Sequence, residues 1–414
     1  MQITPGNENI LAINGGKSVR KTLLPYGHQS ICEEDIQSVI EVLRSEWITT
    51  GPKVAEFEEA IANYVGSNYA VSFSSGTAAL HGAVFAAGLG PGDEAITTPL
   101  TFCATANCIL YQGATPVFAD IFHDTLNINP QHVERHITTA TKAIIPMDYA
   151  GHPVDLDEIL NLAEKNNLIV IEDACHALGA EYKGKRVGGI SDMTVFSFHP
   201  VKHITTGEGG MVTTNDSKLA KRLKLFRNHG IDSDARQRAT NGIWYYEMLE
   251  LGYNYRLTDI GSALGLSQLK KLDQNCSRRR EIALKYNVEF EDIAAIQRPT
   301  EKEYVNSAWH LYPIRLNLNM LKANRQDIFA ALKAENIGIN VHYIPVHLHP
   351  YYRNRFAYRT GDYPVTEGAY EGLISLPMFH GMTDQDICDV VTAISKVIGY
   401  YTNEKNFSKK FAKV

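Results

Sequence analysis

The feature that most constrains this chain is the alternation of short apolar runs with longer periodic segments between residues 70 and 213. The runs at 70–73, 94–97, 116–119, 143–147, 168–171, 193–198 and 210–213 have strand length. The segments at 78–87, 104–111 and 156–165 have helical length and spacing. Parallel strands need a crossover of about this length, usually a helix. The pattern therefore predicts an α/β fold built on a large, mostly parallel sheet.

The flanks read differently. Residues 1–25 form an irregular arm containing Gly15-Gly16. A helix fits 33–44, with Ile36, Val39, Ile40 and Leu43 on one stripe, and a second fits 54–65. From about residue 220, helices fit 219–226, 259–272, 278–286 and 326–335, with apolar runs at 310–316 and 339–342. This predicts a large domain over 26–275 and a smaller α+β domain over 276–414. The Lys-rich stretch 405–413 reads as a solvated end.

Bulk properties exclude several function classes. The 414 residues carry a formal net charge of −6 with both signs interspersed, so nucleic-acid binding is not expected. No apolar run reaches the roughly 18 residues of a membrane span, and residues 1–6 lack a secretory pattern. Six scattered cysteines suit a reduced, cytoplasmic protein. Cys103 with Cys108, and His347 with His349, are too sparse for a metal site, and no metal is expected.

Chemistry-bearing residues gather just past predicted strand ends, where open α/β sheets bind ligands. Ser74, Ser75, Gly76 and Thr77 follow the first strand and open a helix. Free N–H groups, the helix dipole and the hydroxyls of Ser75 and Thr77 would face an anion there. By itself the turn reads equally as an ordinary helix cap. Asp173 closes the strand at 168–171. A carboxylate buried there needs a cation, and a protonated pyridine nitrogen is one; the pairing makes the ring an electron sink. Alone, Asp173 reads as a cap on the next helix. Lys202 follows in Phe198-His199-Pro200-Val201-Lys202, ahead of Thr205-Thr206-Gly207-Glu208-Gly209-Gly210, whose glycines permit close backbone approach to a ligand. Lysine amines form Schiff bases with aldehydes such as pyridoxal 5′-phosphate, although a loop lysine is ordinarily a surface group. Ser197 stands five residues earlier, placed to reach the same phosphate. Together, in this order, the three elements predict a pyridoxal-phosphate enzyme with its cofactor on Lys202.

Further runs accompany these residues: Trp47-Ile48-Thr49-Thr50-Gly51-Pro52, Thr98-Pro99-Leu100-Thr101-Phe102 with Ala104-Thr105-Ala106-Asn107, Glu172-Asp173-Ala174-Cys175-His176-Ala177-Leu178-Gly179, and Gly252-Tyr253-Asn254-Tyr255-Arg256. Over residues 20–400 the chain resembles the sugar-nucleotide aminotransferases of the DegT/DnrJ/EryC1/StrS family, which share the fold type I of aspartate aminotransferase. The resemblance implies that Lys202 is the Schiff-base lysine and proton carrier, and that Asp173 pairs with the pyridinium. It implies that Phe102 stacks on the ring, and that Ser75, Gly76, Thr77 and Ser197 hold the phosphate. His176 would sit beside the ring hydroxyl, where many relatives have Gln. Asn254 would reach the phosphate of the neighbouring subunit, which implies a homodimer with shared sites.

The resemblance also implies glutamate as amino donor and a nucleotide-linked keto-sugar as acceptor. The runs Phe198-His199-Pro200-Val201-Lys202, Val341-His342-Tyr343-Ile344-Pro345 and His310-Leu311-Tyr312-Pro313 most resemble members that aminate C4 of a UDP-linked 4-keto-6-deoxy sugar in pseudaminic acid biosynthesis. In that comparison Tyr26, Trp47, Ile48, Thr49, Thr50, Ser75, His342, Tyr343, Ile344 and Pro345 line the sugar-nucleotide site. His342 and Tyr343 read equally as half-buried strand residues. Arms like the one here also occur in relatives acting on other keto-sugars or cyclitols. Relatives with histidine in place of the lysine act as dehydratases; Lys202 favours transamination. Lys202, Asp173 and Phe102 together also argue against a non-catalytic regulatory protein.

Overall fold

The structure is a computed structural model that describes residues 10–233, 238, 240 and 242–402. The polar start of the chain and the Lys-rich stretch 405–413 lie outside the described residues. The alternating region supplies strands β1 (Tyr69–Phe73), β2 (Glu94–Thr97), β3 (Thr115–Phe118), β4 (Thr141–Ile145), β5 (Ile169–Asp173), β6 (Glu181–Tyr182), β7 (Lys185–Arg186), β8 (Met193–Ser197) and β9 (Gly210–Thr214). Seven of them make one sheet in the order β1-β9-β8-β5-β4-β2-β3. Within it β9 runs against β1 and β8, and the other pairings are parallel. The expected mostly parallel α/β sheet is thus present.

Helices α1 (Glu33–Leu43), α2 (Pro52–Val65), α3 (Gly76–Ala86), α4 (Cys103–Tyr111), α5 (Pro130–His136), α6 (Leu156–Asn166) and α7 (Ser217–Phe226) precede or connect these strands. α3 is apolar on nearly every side, so it is buried, lying against β8, β9, α4 and α7. Gly82 allows this approach: a Cβ there would stand 2.6 Å from the Phe73 ring. Two pieces of the region up to β9 were not expected from sequence. One is α5, too short to display a period. The other is the β6–β7 hairpin, whose turn at Lys183 and Gly184 uses positive φ at both residues (48° and 76°), matching the strand twist.

Farther along come α8 (Asp259–Leu269), α9 (Leu272–Glu289), β10 (Ile296–Gln297), β11 (Val305–Asn306), β12 (Tyr312–Leu316), α10 (Arg325–Ala334), α11 (Pro350–Phe356), α12 (Pro364–Gly372), β13 (Leu373–Leu376) and α13 (Asp384–Tyr401). β10, β12 and β13 form an antiparallel sheet, and β11 extends the β6–β7 hairpin. The helix expected over 259–272 stops at Leu269, and the one expected over 278–286 is the longer α9. Between them Lys271 folds a turn onto Gln268, and its Nζ is drawn to buried Asp35 at 2.7 Å. The run 339–342 is not a strand; a bridge from Asn340 to Ser375 and the His342 side chain tie it to β13.

α9 spans two cores. Leu272 and Cys276 pack under the large sheet, whereas Ile282, Ala283, Tyr286 and Phe290 pack with β12, α10 and α13. The N-terminal segment joins the second core through Leu11 and Leu24. Ala12 and Val19 amides donate to the Glu335 carboxylate at 2.9 Å each, and Lys396 neutralises that buried charge at 2.8 Å. Among the described residues, no helix is long and apolar enough to cross a membrane.

Candidate active site

One wall of the site is made where β1, β8 and β9 meet. Ser75 caps α3, its Oγ accepting from the Ala78 amide at 3.1 Å. Gly76 leaves no space for a side chain: a Cβ would stand 3.0 Å from Ser197 Cβ, 3.2 Å from Ser197 Oγ and 3.4 Å from Cys175 Sγ. Ser197 ends β8 opposite Gly210 of β9. A Cβ on Gly210 would collide with Ser75, 2.5 Å from its carbonyl oxygen. The glycine-rich run, expected to admit a ligand, here admits the protein's own turn. Ser74, Ser75, Thr77 and Ser197 remain partly accessible around the helix N-terminus, which makes an anion cradle.

The floor comes from β5. Asp173 is buried, with Oδ2 accepting from Thr105 Oγ1 at 2.6 Å and Oδ1 from the Cys175 amide at 3.2 Å. Glu172 turns the other way, and Ser191 and Thr194 donate to its Oε2 at 2.9 Å each. Asp148 lies against Glu172. Burial, then the Glu172 charge, push the Asp148 carboxyl well above the usual range, so Asp148 holds the proton of this pair. The pair then adds one buried negative charge beside Asp173 rather than two.

Lys202 closes a turn after β8, its amide bonded to the His199 carbonyl at 2.9 Å. Burial pulls its amine below the ordinary value, against Cys175 and Asp173, which pull it up. Its Nζ lies 3.4 Å from His310 Nε2. The His310 ring lies 4.3 Å from that of His176, whose Nε2 is 2.9 Å from the Tyr343 hydroxyl. Burial first, and Lys202 next, hold both imidazoles far below their ordinary values, hence neutral. Tyr343 lies 5.9 Å from the Phe102 ring, which is 53% exposed and presents a free face.

The remaining expected residues divide. Tyr26 packs on His342 with ring centres 5.3 Å apart, and Gly27 approaches Val201 beside Lys202. The Tyr149 hydroxyl donates to the His342 carbonyl, and His342 Nδ1 lies 2.9 Å from Ser375 Oγ. Ile344 is 46% exposed, and Pro345 leads to Val346, whose amide bonds the Pro99 carbonyl at 2.8 Å. The contacts of Trp47, Ile48, Thr49 and Thr50 run elsewhere. Thr49 bridges Thr258, the Asp259 amide donates to Ile48, and Gly51 donates to Asp259 Oδ2 at 2.7 Å. Asn254 is exposed on a segment that bridges Asn228. His310 and Thr105 carried no assigned role in the sequence, though both stand in runs quoted above; only the fold reveals what they touch. Among the described residues, no cluster of His, Cys, Asp and Glu fits a metal.

These residues fit pyridoxal phosphate. The glycine-walled helix end suits a phosphate, Asp173 can accept from a ring N–H, and buried His176 Nδ1 has no partner among the described residues. A model of the DegT/DnrJ/EryC1/StrS aminotransferase family matches residues 29–395. The chain belongs to this family. It is 51% identical over 381 residues to an uncharacterized protein of Methanocaldococcus jannaschii, covering 92% of this chain and 99% of that one. It is 44% identical to the spore coat polysaccharide biosynthesis protein SpsC of Bacillus subtilis, covering 92% and 98%. Among solved structures, PseC of Helicobacter pylori, an aminotransferase involved in the biosynthesis of pseudoaminic acid, aligns with TM-score 0.86 at 36% identity, covering 92% of this chain and 100% of PseC. The putative sugar aminotransferase Spr1654 of Streptococcus pneumoniae, in its PMP form, aligns with TM-score 0.86 at 33% identity, covering 91% and 99%. This family member is a pyridoxal-phosphate-dependent sugar aminotransferase of fold type I. That identity displaces the dehydratase and regulatory readings.

Proposed function

We propose that this enzyme moves an amino group from glutamate to C4 of a nucleotide-linked 4-keto-6-deoxy sugar, UDP-linked as in pseudaminic acid biosynthesis. The likeness to PseC supports the sugar class, and the likeness to SpsC supports a role in making a surface polysaccharide. The observation that carries the reading is the meeting of the Ser75–Gly76 cradle, buried Asp173 and the Lys202 amine at neighbouring strand ends.

In this reading Lys202 carries the cofactor. Ser75, Gly76, Thr77 and Ser197 would bind its phosphate, Asp173 would hold the ring nitrogen protonated, Phe102 would cover the ring and His176 would stand near its hydroxyl. When bound, the cofactor supplies an electron sink for the bonds of the substrate carbon. Lys202 would accept the proton of that carbon at Nζ and later release it, a general base whose burial favours the neutral amine. Tyr26, His342, Tyr343, Ile344 and Pro345 line the sugar-nucleotide side and exclude water. The turn Trp47, Ile48, Thr49 and Thr50, with Asn254, completes the site in a cytoplasmic homodimer with shared sites, where Asn254 reaches the partner's phosphate.

The test is a panel of UDP-, dTDP- and GDP-linked 4-keto-sugars with glutamate. The UDP sugar should be aminated; amination of the GDP sugar alone would reject the substrate. Lys202→Ala should lose both the visible absorbance of the attached cofactor and turnover, and unchanged turnover would remove the role given to Lys202.

A further inference from the structure

We infer that His310 is a positioning residue for Lys202: its imidazole holds the lysine amine, once free of the cofactor, aimed at the reacting carbon. The inference deepens the proposed function and rests on reading Lys202 as the proton carrier.

The ring is placed for this and little else. Its Nε2 lies 3.4 Å from Lys202 Nζ, while its Nδ1 is buried without a partner among the described residues. A buried imidazole with one unpaired nitrogen costs stability that a phenyl ring of similar shape would not. Among the described residues, the ring's one polar contact is with the amine. The ring is also held rigidly. His310 stands just before β12, and behind it Arg279 of α9 donates from Nη1 to the carbonyls of Trp309 (3.2 Å), His310 (3.1 Å) and Met378 (2.8 Å). In front, the His176 ring centre is 4.3 Å away and that of His203 is 5.6 Å away.

The surroundings set the protonation state. The groups facing His310 are Lys202, His176, His203 and Arg279, with no carboxylate among them, so the ring stays neutral. Those facing Lys202 add Asp173 and Cys175, and Lys202 in turn bears on His342. With the ring proton on Nδ1, a neutral Nε2 accepts an N–H from Nζ whether the amine is free or protonated. A lysine side chain has many rotamers; a fixed acceptor selects one and leaves the lone pair directed into the cleft.

The experiment uses the holoenzyme with glutamate and the UDP-linked 4-keto-sugar. His310→Phe keeps the ring shape and removes both nitrogens; His310→Gln keeps a polar end. His310→Phe should retain the visible absorbance of attached cofactor, lower kcat by about ten- to a hundredfold, and leave KM for the sugar nucleotide within about twofold. Losing an acceptor for the protonated amine should also move the acid limb of the kcat profile toward lower pH. His310→Gln should recover part of kcat. An unmoved limb overturns the inference, whether or not kcat falls, because that is the behaviour of a packing residue. If the Phe variant does not fold, His310→Leu makes the same comparison. Absorbance in the Lys202→Ala variant tests the underlying reading separately.

Discussion

Replacing Gly210 by alanine perturbs the proposed phosphate cradle without touching a group proposed to do chemistry. The added carbon would arrive 2.5 Å from the Ser75 carbonyl oxygen, 2.7 Å from its carbonyl carbon and 2.8 Å from the Gly76 nitrogen. Non-bonded carbon ordinarily keeps about 3.5 Å from such atoms, so β9 and the start of α3 must separate by roughly an ångström. Neither yields easily. Gly210 is paired with Phe73 on one side and Ser197 on the other, and the Ser75 carbonyl accepts the Ala79 amide at 3.0 Å in the first turn of α3. Overpacking of this kind costs about 1–3 kcal/mol, and an ångström's displacement of positioned groups costs about a hundredfold in function. Gly210→Ala should therefore lower the urea midpoint of unfolding. It should also weaken pyridoxal phosphate affinity by about ten- to a hundredfold, read by absorbance titration of cofactor-free protein. Gly90→Ala, where a Cβ meets nothing within 4 Å, is the control. Wild-type affinity and an unchanged midpoint in Gly210→Ala would refute the argument that this glycine forms the cradle wall.

Two further variants probe the buried polar groups. Tyr343→Phe removes the 2.9 Å partner of His176 Nε2 and leaves that ring with neither nitrogen paired; denaturant unfolding should show a loss of about 1–3 kcal/mol, and no loss would show that the hydroxyl contributes nothing to holding His176. Asp148→Asn removes a carboxyl whose folded value is raised far above its unfolded one. Such a group favours the folded state fully below about pH 4 and loses that contribution as pH rises toward the folded value. The parent's unfolding free energy should thus fall between pH 4 and 8 more steeply than the variant's, and parallel curves would assign the proton elsewhere.

The sequence alone determined the class of fold and singled out the residues proposed as the reaction centre, because both depend on local signals. Strand-length apolar runs separated by helices admit few arrangements besides a parallel sheet, and seven of these runs became its strands. Ser75, Asp173 and Lys202 each sit where a strand hands over to a turn, so their gathering at one edge followed from topology. The tertiary structure alone decided what holds that centre. His310 stands 108 residues from Lys202, and Thr105 stands 68 from Asp173; neither separation leaves a trace in a local pattern. Gly210 looked like room for a ligand and proved to be room for the Ser75 carbonyl, a distinction set by backbone packing rather than residue type. The N-terminal arm, irregular as text, is tied by Leu11, Leu24 and the Glu335 carboxylate to elements more than 300 residues away, through contacts of a kind that periodicity does not register.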